Sequence, residues 1–539
     1  MSTTQLSNHD GDQEVSHTHT AISVPLREQV AALRRLVESV RQGSDEHATA
    51  WQHAKGKLTA FERIELLLDA GSFTEIQGLR RHRSTAFGLD DRRPYGDGAV
   101  CGWGTVEGRL VYVYAQDFRV LGGSLGETHA AKICKTIEMA VAAGAPIVSL
   151  NDGAGARIHE GIVALAGYGQ IFRRTVAASG VVPQISVMLG PCAGGAAYAP
   201  ALTDFVFMVA GTSQMFVTGP DVVEVVTGEH VTHDELGGAD VHARISGVAD
   251  FCYEDEDACL ADVRYLLSLL PANHTEQPPV YECTDSMNRR EPALTELVPQ
   301  DPRLPFDMRQ VIAAIVDDAE YMELHENWAP NILCALARLG GSTIGVVANQ
   351  PRVLAGVLDI AACDKVARFV QHCDAFNIPL VTLLDVPGFL PGTVQEHGGI
   401  IRHGARLLYA YADATVPRIQ VITRKAYGGA YIVLDSLSIG ADLSYAWPSN
   451  EIAVMGAEAA SNIIFRKQIA SASDPDRERE ACVKRYQDEL MHPYYAVERG
   501  LVDDLIDPAD TRPVLIRALR ALANKRACVP QRKHGNPPA

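Results

Sequence analysis

The chain has 539 residues and a formal net charge of −18, too long for one ordinary core and too acidic for a general nucleic-acid binder. A hydrophobic share of 47% and a charged share of 21% are those of a folded soluble protein, in which an anionic ligand would need a local basic pocket. No run of about 18 apolar residues could span a membrane and the polar N-terminus lacks a secretory h-region, so a cytoplasmic location is expected. Eleven cysteines without C-x-x-C or Cys/His zinc spacing read as reduced buried thiols and predict no metal site.

In chain order, residues 1–24 are polar and read as a disordered tail. Leu26 to Arg41 has the spacing of an amphipathic helix. Lys57 to Gly71 reads as a capped helix, with Thr59 and Glu62 as a capping box and Gly71 as its close. Arg80–Arg83 and Arg92–Arg93 form either a solvated loop or a clamp for phosphates. Gly102 to Ala115 is a hairpin turning at Glu107-Gly108. A glycine-rich loop at Arg119–Gly126, a helix from His129 to Ala143 and a strand at Pro146–Leu150 follow. A second glycine-rich loop spans Asn151–Gly161. Val181–Leu189 is an apolar strand that runs into Gly190-Pro-Cys-Ala-Gly194-Gly195-Ala196-Ala-Tyr198 and a helix start. Strand, loop and helix repeated in this way mark a parallel α/β layer.

The second half repeats the first. Arg119-Val-Leu-Gly-Gly123 matches Arg352-Val-Leu-Ala-Gly356 at an offset of 233, as do Lys132 and Lys365, Pro146 and Pro379, Asp152 and Asp385, and Gly155 and Gly388. Gly194 and Gly195 match Gly428 and Gly429 at 234. Such an offset marks two homologous domains, 25–270 and 306–530, joined by a Pro-rich linker at 271–305 and followed by a tail at 531–539. The second copy contains a hairpin around Leu339–Ala348, a helix from Ala362 to Phe376, strands at Leu380–Leu384 and Val416–Arg424, and a charged helix from Arg477 to Glu489.

Strand, glycine pair and helix start leave backbone N–H groups pointing outward with a helix dipole behind them. This geometry serves an oxyanion; the alternative is a tight turn that needs glycine for positive φ. Neither loop carries an acid, base or nucleophile at its tip. Two such loops suit two anions in one reaction, for example a thioester enolate and the ureido oxygen of a carboxyl-carrying cofactor, which would also supply the base.

Asp152 to Gly161 reads Asp-x-x-Gly-Ala-Arg-Ile-x-Glu-Gly. With Gly-Pro-Cys-Ala-Gly-Gly-Ala (190–196), Phe-Val-Thr-Gly-Pro-Asp (216–221), Asp-Val-Pro-Gly-Phe-Leu-Pro-Gly (385–392) and Ile-Thr-Arg-Lys-Ala-Tyr-Gly-Gly-Ala-Tyr (422–431), it resembles the carboxyltransferase (β) subunits of biotin-dependent acyl-CoA carboxylases. The likeness is to the propionyl-CoA carboxylase type of actinobacteria and covers roughly residues 25–535.

The resemblance implies two tandem crotonase-like domains of ββα-superhelix fold, and a hexamer with sites at dimer interfaces. Acyl-CoA would lie on the N-terminal domain of one chain, and carboxybiotin on the C-terminal domain of the next. Carried over by position, Gly194 and Gly195 would hold the thioester enolate, and Gly429 and Ala430 the ureido oxygen. Ala154, Gly155, Arg157, Tyr198 and Ile432 would face substrate; Gly388, Phe389, Gly428 and Tyr431 would face biotin. Arg157 and Glu160 also read as a structural ion pair. The chain has no biotin-attachment motif and no ATP-binding carboxylase module, so a biotin carboxylase/carboxyl-carrier α-subunit is the expected partner.

Three stretches depart from the family pattern. Ile432 stands where the propionyl-selective pattern has Asp, which opens acetyl-, propionyl- and butyryl-CoA as substrates. Asp152-Gly-Ala-Gly155 replaces Asp-Ser-Gly-Gly, and Phe61 replaces Arg. A transcarboxylase or decarboxylase subunit and a non-catalytic scaffold subunit are the competing readings. A hydratase or isomerase would need side-chain acids and bases that neither loop supplies.

Overall fold

Glu107 and Gly108 both take positive φ, 51° and 76°, as a two-residue hairpin loop requires. They join Ala99–Val106 to Arg109–Gln116 in register. Gly340 and Gly341, at 63° and 84°, turn the second hairpin, Ile332–Leu339 to Ser342–Asn349. Each half contains one such hairpin. The computed structural model describes residues 25–43, 46–299, 301–527 and 529–538; the expected tail over 1–24 lies outside them.

The first half contains β1 (Thr74–Ile76), β2 (Ala99–Val106), β3 (Arg109–Gln116), β4 (Ile147–Asn151), β5 (Gln184–Met188), β6 (Pro191–Ala193), β7 (Phe205–Val209), β8 (Gln214–Phe216) and β9 (Phe251–Tyr253). The second contains β10 (Tyr321–Leu324), β11 (Ile332–Leu339), β12 (Ser342–Asn349), β13 (Leu380–Val386), β14 (Arg418–Tyr427), β15 (Leu443–Ala446), β16 (Glu451–Ala453) and β17 (Asp504–Leu505). The main sheets have orders β1-β2-β3-β4-β5-β7-β9 and β10-β11-β12-β13-β14-β15-β17. In each, the first three strands pair antiparallel and the later strands run parallel. The β6–β8 pair of the first half has its counterpart in β14–β16. The duplication read from the offsets is therefore a duplication of topology.

The halves share one apolar core. It runs from Ile64, Val148, Phe207 and Leu266 to Cys334, Phe369 and Leu407, all buried. Polar contacts stitch the seam: Arg368 Nη2 donates to Thr203 O (2.7 Å), His325 N to Asp250 O (2.9 Å) and Arg338 Nη2 to Ser268 Oγ (2.7 Å). Within the expected linker, residues 281–299 run as a strap along the second half. Tyr281 N donates to Gly341 O and Glu291 N to Ala509 O, and Leu294 is buried.

The amphipathic first helix spans Leu26–Gln42. Thr59 and Glu62 do form a capping box, but the helix is shorter than the spacing predicts, Ala60–Leu67. Leu68 turns extended and its N–H bonds Ile64 O, so Gly71 belongs to the next turn. No helix among the described residues is long and apolar enough to cross a membrane, and their ten cysteines are free.

One duplicated pair is structural. Lys132 Nζ donates to the carbonyls of Gly96 (2.9 Å) and Ala99, and Lys365 Nζ to those of His325 (2.9 Å), Trp328 (3.1 Å) and Ile332 (2.8 Å). Both amines are buried and hold the chain that enters the hairpin. Lys365→Met fills the same volume but strands those carbonyls. It is expected to cost about 3 kcal/mol, read as a lower urea midpoint.

Candidate active site

At the end of β5 the chain passes through β6 and turns at Gly194, whose φ of 60° and ψ of −124° suit glycine. Gly194 N donates to Phe216 O at 3.0 Å, continuing the β6–β8 pairing. The helix Gly195–Ala201 begins at once. Its first-turn N–H groups at Gly195 and Ala196 have no acceptor among the described residues. In the second half, β14 runs unbroken to Tyr427, Gly428 turns with φ of 62°, and the helix Gly428–Val433 starts. There Gly429 and Ala430 have no acceptor among the described residues.

The two residues of the first glycine pair therefore differ in what their N–H groups do. Gly194 is the hinge and its N–H is already used. The outward pair is Gly195 and Ala196, which the 234-residue offset matches to Gly429 and Ala430. The two pairs are then equivalent position by position.

A buried carboxylate anchors each turn. Asp152, at the end of β4, receives Lys57 Nζ (2.7 Å), Arg63 Nη1 (2.9 Å) and Gln52 Nε2 (3.2 Å). Arg63 also bonds Glu256, at 2.6 and 2.7 Å. Asp385, at the end of β13, receives Arg424 Nη2 (2.7 Å) and the Lys425 N–H (3.0 Å). The cation comes from a different place in each half, and Gly190 shows why. It occupies the position matching Arg424, and a Cβ on it would lie 1.9 Å from Asp152 Oδ1 and 2.8 Å from Lys57 Nζ. The missing side chain lets cations from the Ala60–Leu67 helix and its approach reach Asp152. Burial lowers the pKa of Lys57, opposed by Asp152.

The two loops beside the turns are alike. Leu125 N donates to Gly155 O (2.8 Å) and Arg157 N to Leu125 O (2.9 Å); Leu358 N donates to Gly388 O (3.0 Å) and Leu390 N to Leu358 O (2.8 Å). Gly155 has φ of 90°, and a Cβ there would sit 3.1 Å from Ala193 O, so this loop packs directly against β6. Ala154 is exposed at the loop tip.

Arg157 forms the structural ion pair read with Glu160 and a second one with Asp97. It is 2% exposed, with Nη1 2.7 Å from both Asp97 Oδ1 and Glu160 Oε1 and Nη2 donating to Ser124 O at 2.8 Å. Its donors are committed within the chain. Arg157→Ala leaves two buried carboxylates unpaired and is expected to cost about 3–5 kcal/mol. The folded variant should keep its KM for acyl-CoA within about twofold, because no ligand contact is lost.

Tyr198 is 51% exposed, three residues beyond Gly195, and stands edge-on to Phe172. Ile432 is half-buried against the shared core, and Tyr431 is buried beside it. Phe389 lies in the loop after β13 with its ring against Gly404 and Gly429. Of the basic residues named from sequence, Arg83 pairs with Glu127 and Arg81 stacks on Tyr95, so neither stands free as a phosphate clamp.

No group near the turns is set up as a nucleophile or base. Cys192 is fully buried, and burial pushes its thiol up to about 12. Lys425 Nζ is held by Pro302 O (2.9 Å), and the Tyr427 hydroxyl donates to Glu451. The arrangement can do one thing: hold a developing negative charge on each of two oxygens. At the turns Gly429 is exposed and Gly195 half-buried, while Ala196 and Ala430 are buried. Cavities of about 530 and 610 Å³ lie elsewhere, between the halves at Asp250, Arg309 and His325, and beside Leu519 and Lys525.

The carboxyl transferase domain family matches residues 51–537. The propionyl-CoA carboxylase carboxyltransferase subunit of Haloferax mediterranei is 53% identical over 513 residues, covering 95% of this chain and 99% of its own. The methylmalonyl-CoA decarboxylase subunit alpha of Veillonella parvula is also 53% identical over 513 residues, with the same coverage. The transcarboxylase 12S structure, solved as a hexamer assembly with methylmalonyl-coenzyme A and methylmalonic acid bound, superposes with a TM-score of 0.94 at 50% identity, covering 96% of this chain and 99% of that one. The fold is accordingly two tandem crotonase-like domains, and the chain belongs to the carboxyl transferase family as a carboxyltransferase component.

Proposed function

We propose that this chain transfers a carboxyl group between biotin, carried by a partner α-subunit, and the α-carbon of a short-chain acyl-CoA. The observation that carries the reading is the pair of equivalent turns, each with two uncommitted N–H groups and no titratable side chain at its tip. A carboxylated biotin supplies, when bound, the carboxyl group and a base for the α-proton. Gly195 and Ala196 donate to the thioester oxygen as the enolate charge develops there. Gly429 and Ala430 donate to the ureido oxygen, which carries charge when the carboxyl group leaves. Each such donor contributes about 3–4 kcal/mol to the transition state.

The site is assembled from two chains in this reading. Val217, beside Gly194, is 61% exposed, and Val454, beside Gly428, is 75% exposed. Ile158, Ile162 and Val225 in the first half and Val394, Ile401 and Ile463 in the second are exposed as well. Apolar side chains exposed on both halves, two of them flanking the turns, suit a second copy of the chain laid head to tail, in a hexamer like that of the 12S relative. Ile432, two residues beyond Ala430 in the same short helix, bears on acyl-chain length. The carboxylase and decarboxylase relatives are equally identical to this chain, so the direction of flux follows from the partner.

The test is the reverse half-reaction on the purified subunit with free biotin and malonyl-, methylmalonyl- or ethylmalonyl-CoA. Biotin-dependent loss of the carboxyl group is expected, with the ranking of the three reading out the pocket at Ile432. No turnover from assembled protein would favour a scaffold role instead.

A further inference from the structure

Gly195 has no positive φ, so its backbone conformation does not demand glycine; space does. A Cβ there would lie 3.0 Å from both Cγ and Cδ2 of Tyr168. Tyr168, on the helix Ile162–Ala178, is 4% exposed and lies flat beneath the turn. It continues through Phe172 (6.0 Å) to Tyr198 (6.3 Å), an aromatic ladder from below the turn to the surface. Its hydroxyl is buried and has no partner among the described residues.

The second half meets the same need by another route. Gly429 also lacks a positive φ, and the Phe389 ring comes within 3.9 Å of its Cβ position. The positions do not correspond: Ala156 stands where the 233-residue offset places Phe389, and Ile401 or Arg402 where the 233- or 234-residue offset places Tyr168. Each half thus puts an aromatic ring against the first donor-bearing glycine of its turn, drawn from a different element. A ring recruited twice from different positions marks a requirement of the turn itself.

We propose that Tyr168 is a positioning residue for carboxyl transfer: its ring face fixes how far the Gly195 and Ala196 N–H groups project toward the thioester oxygen. The inference rests on reading those groups as the acyl-side donors. A flat, rigid surface one van der Waals contact beneath the Cα stops the turn from sinking. Transition-state stabilisation by such donors is lost when they shift by a fraction of an ångström. The hydroxyl takes no part, because it reaches no acceptor and burial keeps it protonated.

Tyr168→Phe, Tyr168→Leu and Ala196→Pro are compared in full-length assembled protein, by biotin-dependent decarboxylation of methylmalonyl-CoA. Tyr168→Phe should retain kcat within about twofold, and Tyr168→Leu should lose kcat by about 10²-fold with KM within about threefold. Tyr168→Met, long but without a flat face, replaces the leucine variant if that one does not assemble, with the same expectation. A leucine or methionine variant with kcat within threefold of wild type, or a phenylalanine variant as impaired as leucine, overturns the inference. Loss of activity in Ala196→Pro with an active Tyr168→Leu overturns this inference alone. An active Ala196→Pro overturns the donor assignment beneath it.

Discussion

Replacing Ala196 by proline should lower kcat for carboxyl transfer by about 10²–10³-fold while leaving affinity for acyl-CoA within a few-fold. The substitution deletes one N–H and little else. Ala196 is the second residue of the helix Gly195–Ala201, where proline is tolerated because its N–H has no helical acceptor. The residue before a proline is normally driven out of helical conformation by a clash involving its Cβ, and Gly195 has none. Ala430→Pro makes the matching change in the second half, again behind a glycine, and should cost a similar factor. The acyl-side variant should keep its response to biotin concentration, and the biotin-side variant its response to acyl-CoA concentration. Single-turnover assays at varied concentrations of each substrate check this.

Asp152→Ala should destabilise the folded chain by about 3–5 kcal/mol, read as a lower urea midpoint at fixed protein concentration. Lys57 and Arg63 converge on that carboxylate with almost no solvent access, and both would lose their shared counter-charge. Arg63 keeps Glu256 as a partner, so Lys57 bears most of the loss. The Asp152 main chain also opens the loop that carries Gly155, so the β6 turn should loosen with it. Asp385→Ala strands Arg424 in the same way and should fall in the same range. Gly190→Ala should be as damaging as either, because its methyl group would sit 1.9 Å from Asp152 Oδ1.

The duplication was legible because it is a matter of spacing, and the offsets of 233 and 234 led directly to two sheets of one topology. The turns were legible for the same reason. Their donors were not fully so: whether Gly194 or Ala196 contributes depends on where the β6–β8 ladder ends, and β8 is set by residues more than 20 positions away. Arg157 reads as a ligand group in a one-dimensional motif, and its commitment to Asp97 appears only when a residue 60 positions earlier folds beside it. The clamp on Asp152 left one faint signal. Gly190 against Arg424 at matched positions meant that a cation was missing from the first copy, and Lys57 and Arg63 supply it from outside the repeat. Tyr168 left none, because the ring beneath Gly195 is not the repeat-mate of the ring beneath Gly429.

If each site joins the acyl-side turn of one chain to the biotin-side turn of another, two inactive variants can complement. Ala196→Pro and Ala430→Pro chains are co-expressed in equal amounts, and biotin-dependent decarboxylation is measured on the mixed assembly. Random pairing puts an intact acyl turn against an intact biotin turn in about a quarter of sites, so activity should return to about 25% of wild type. Activity no higher than that of either variant alone, in assemblies shown to contain both chains, would contradict a site shared between chains.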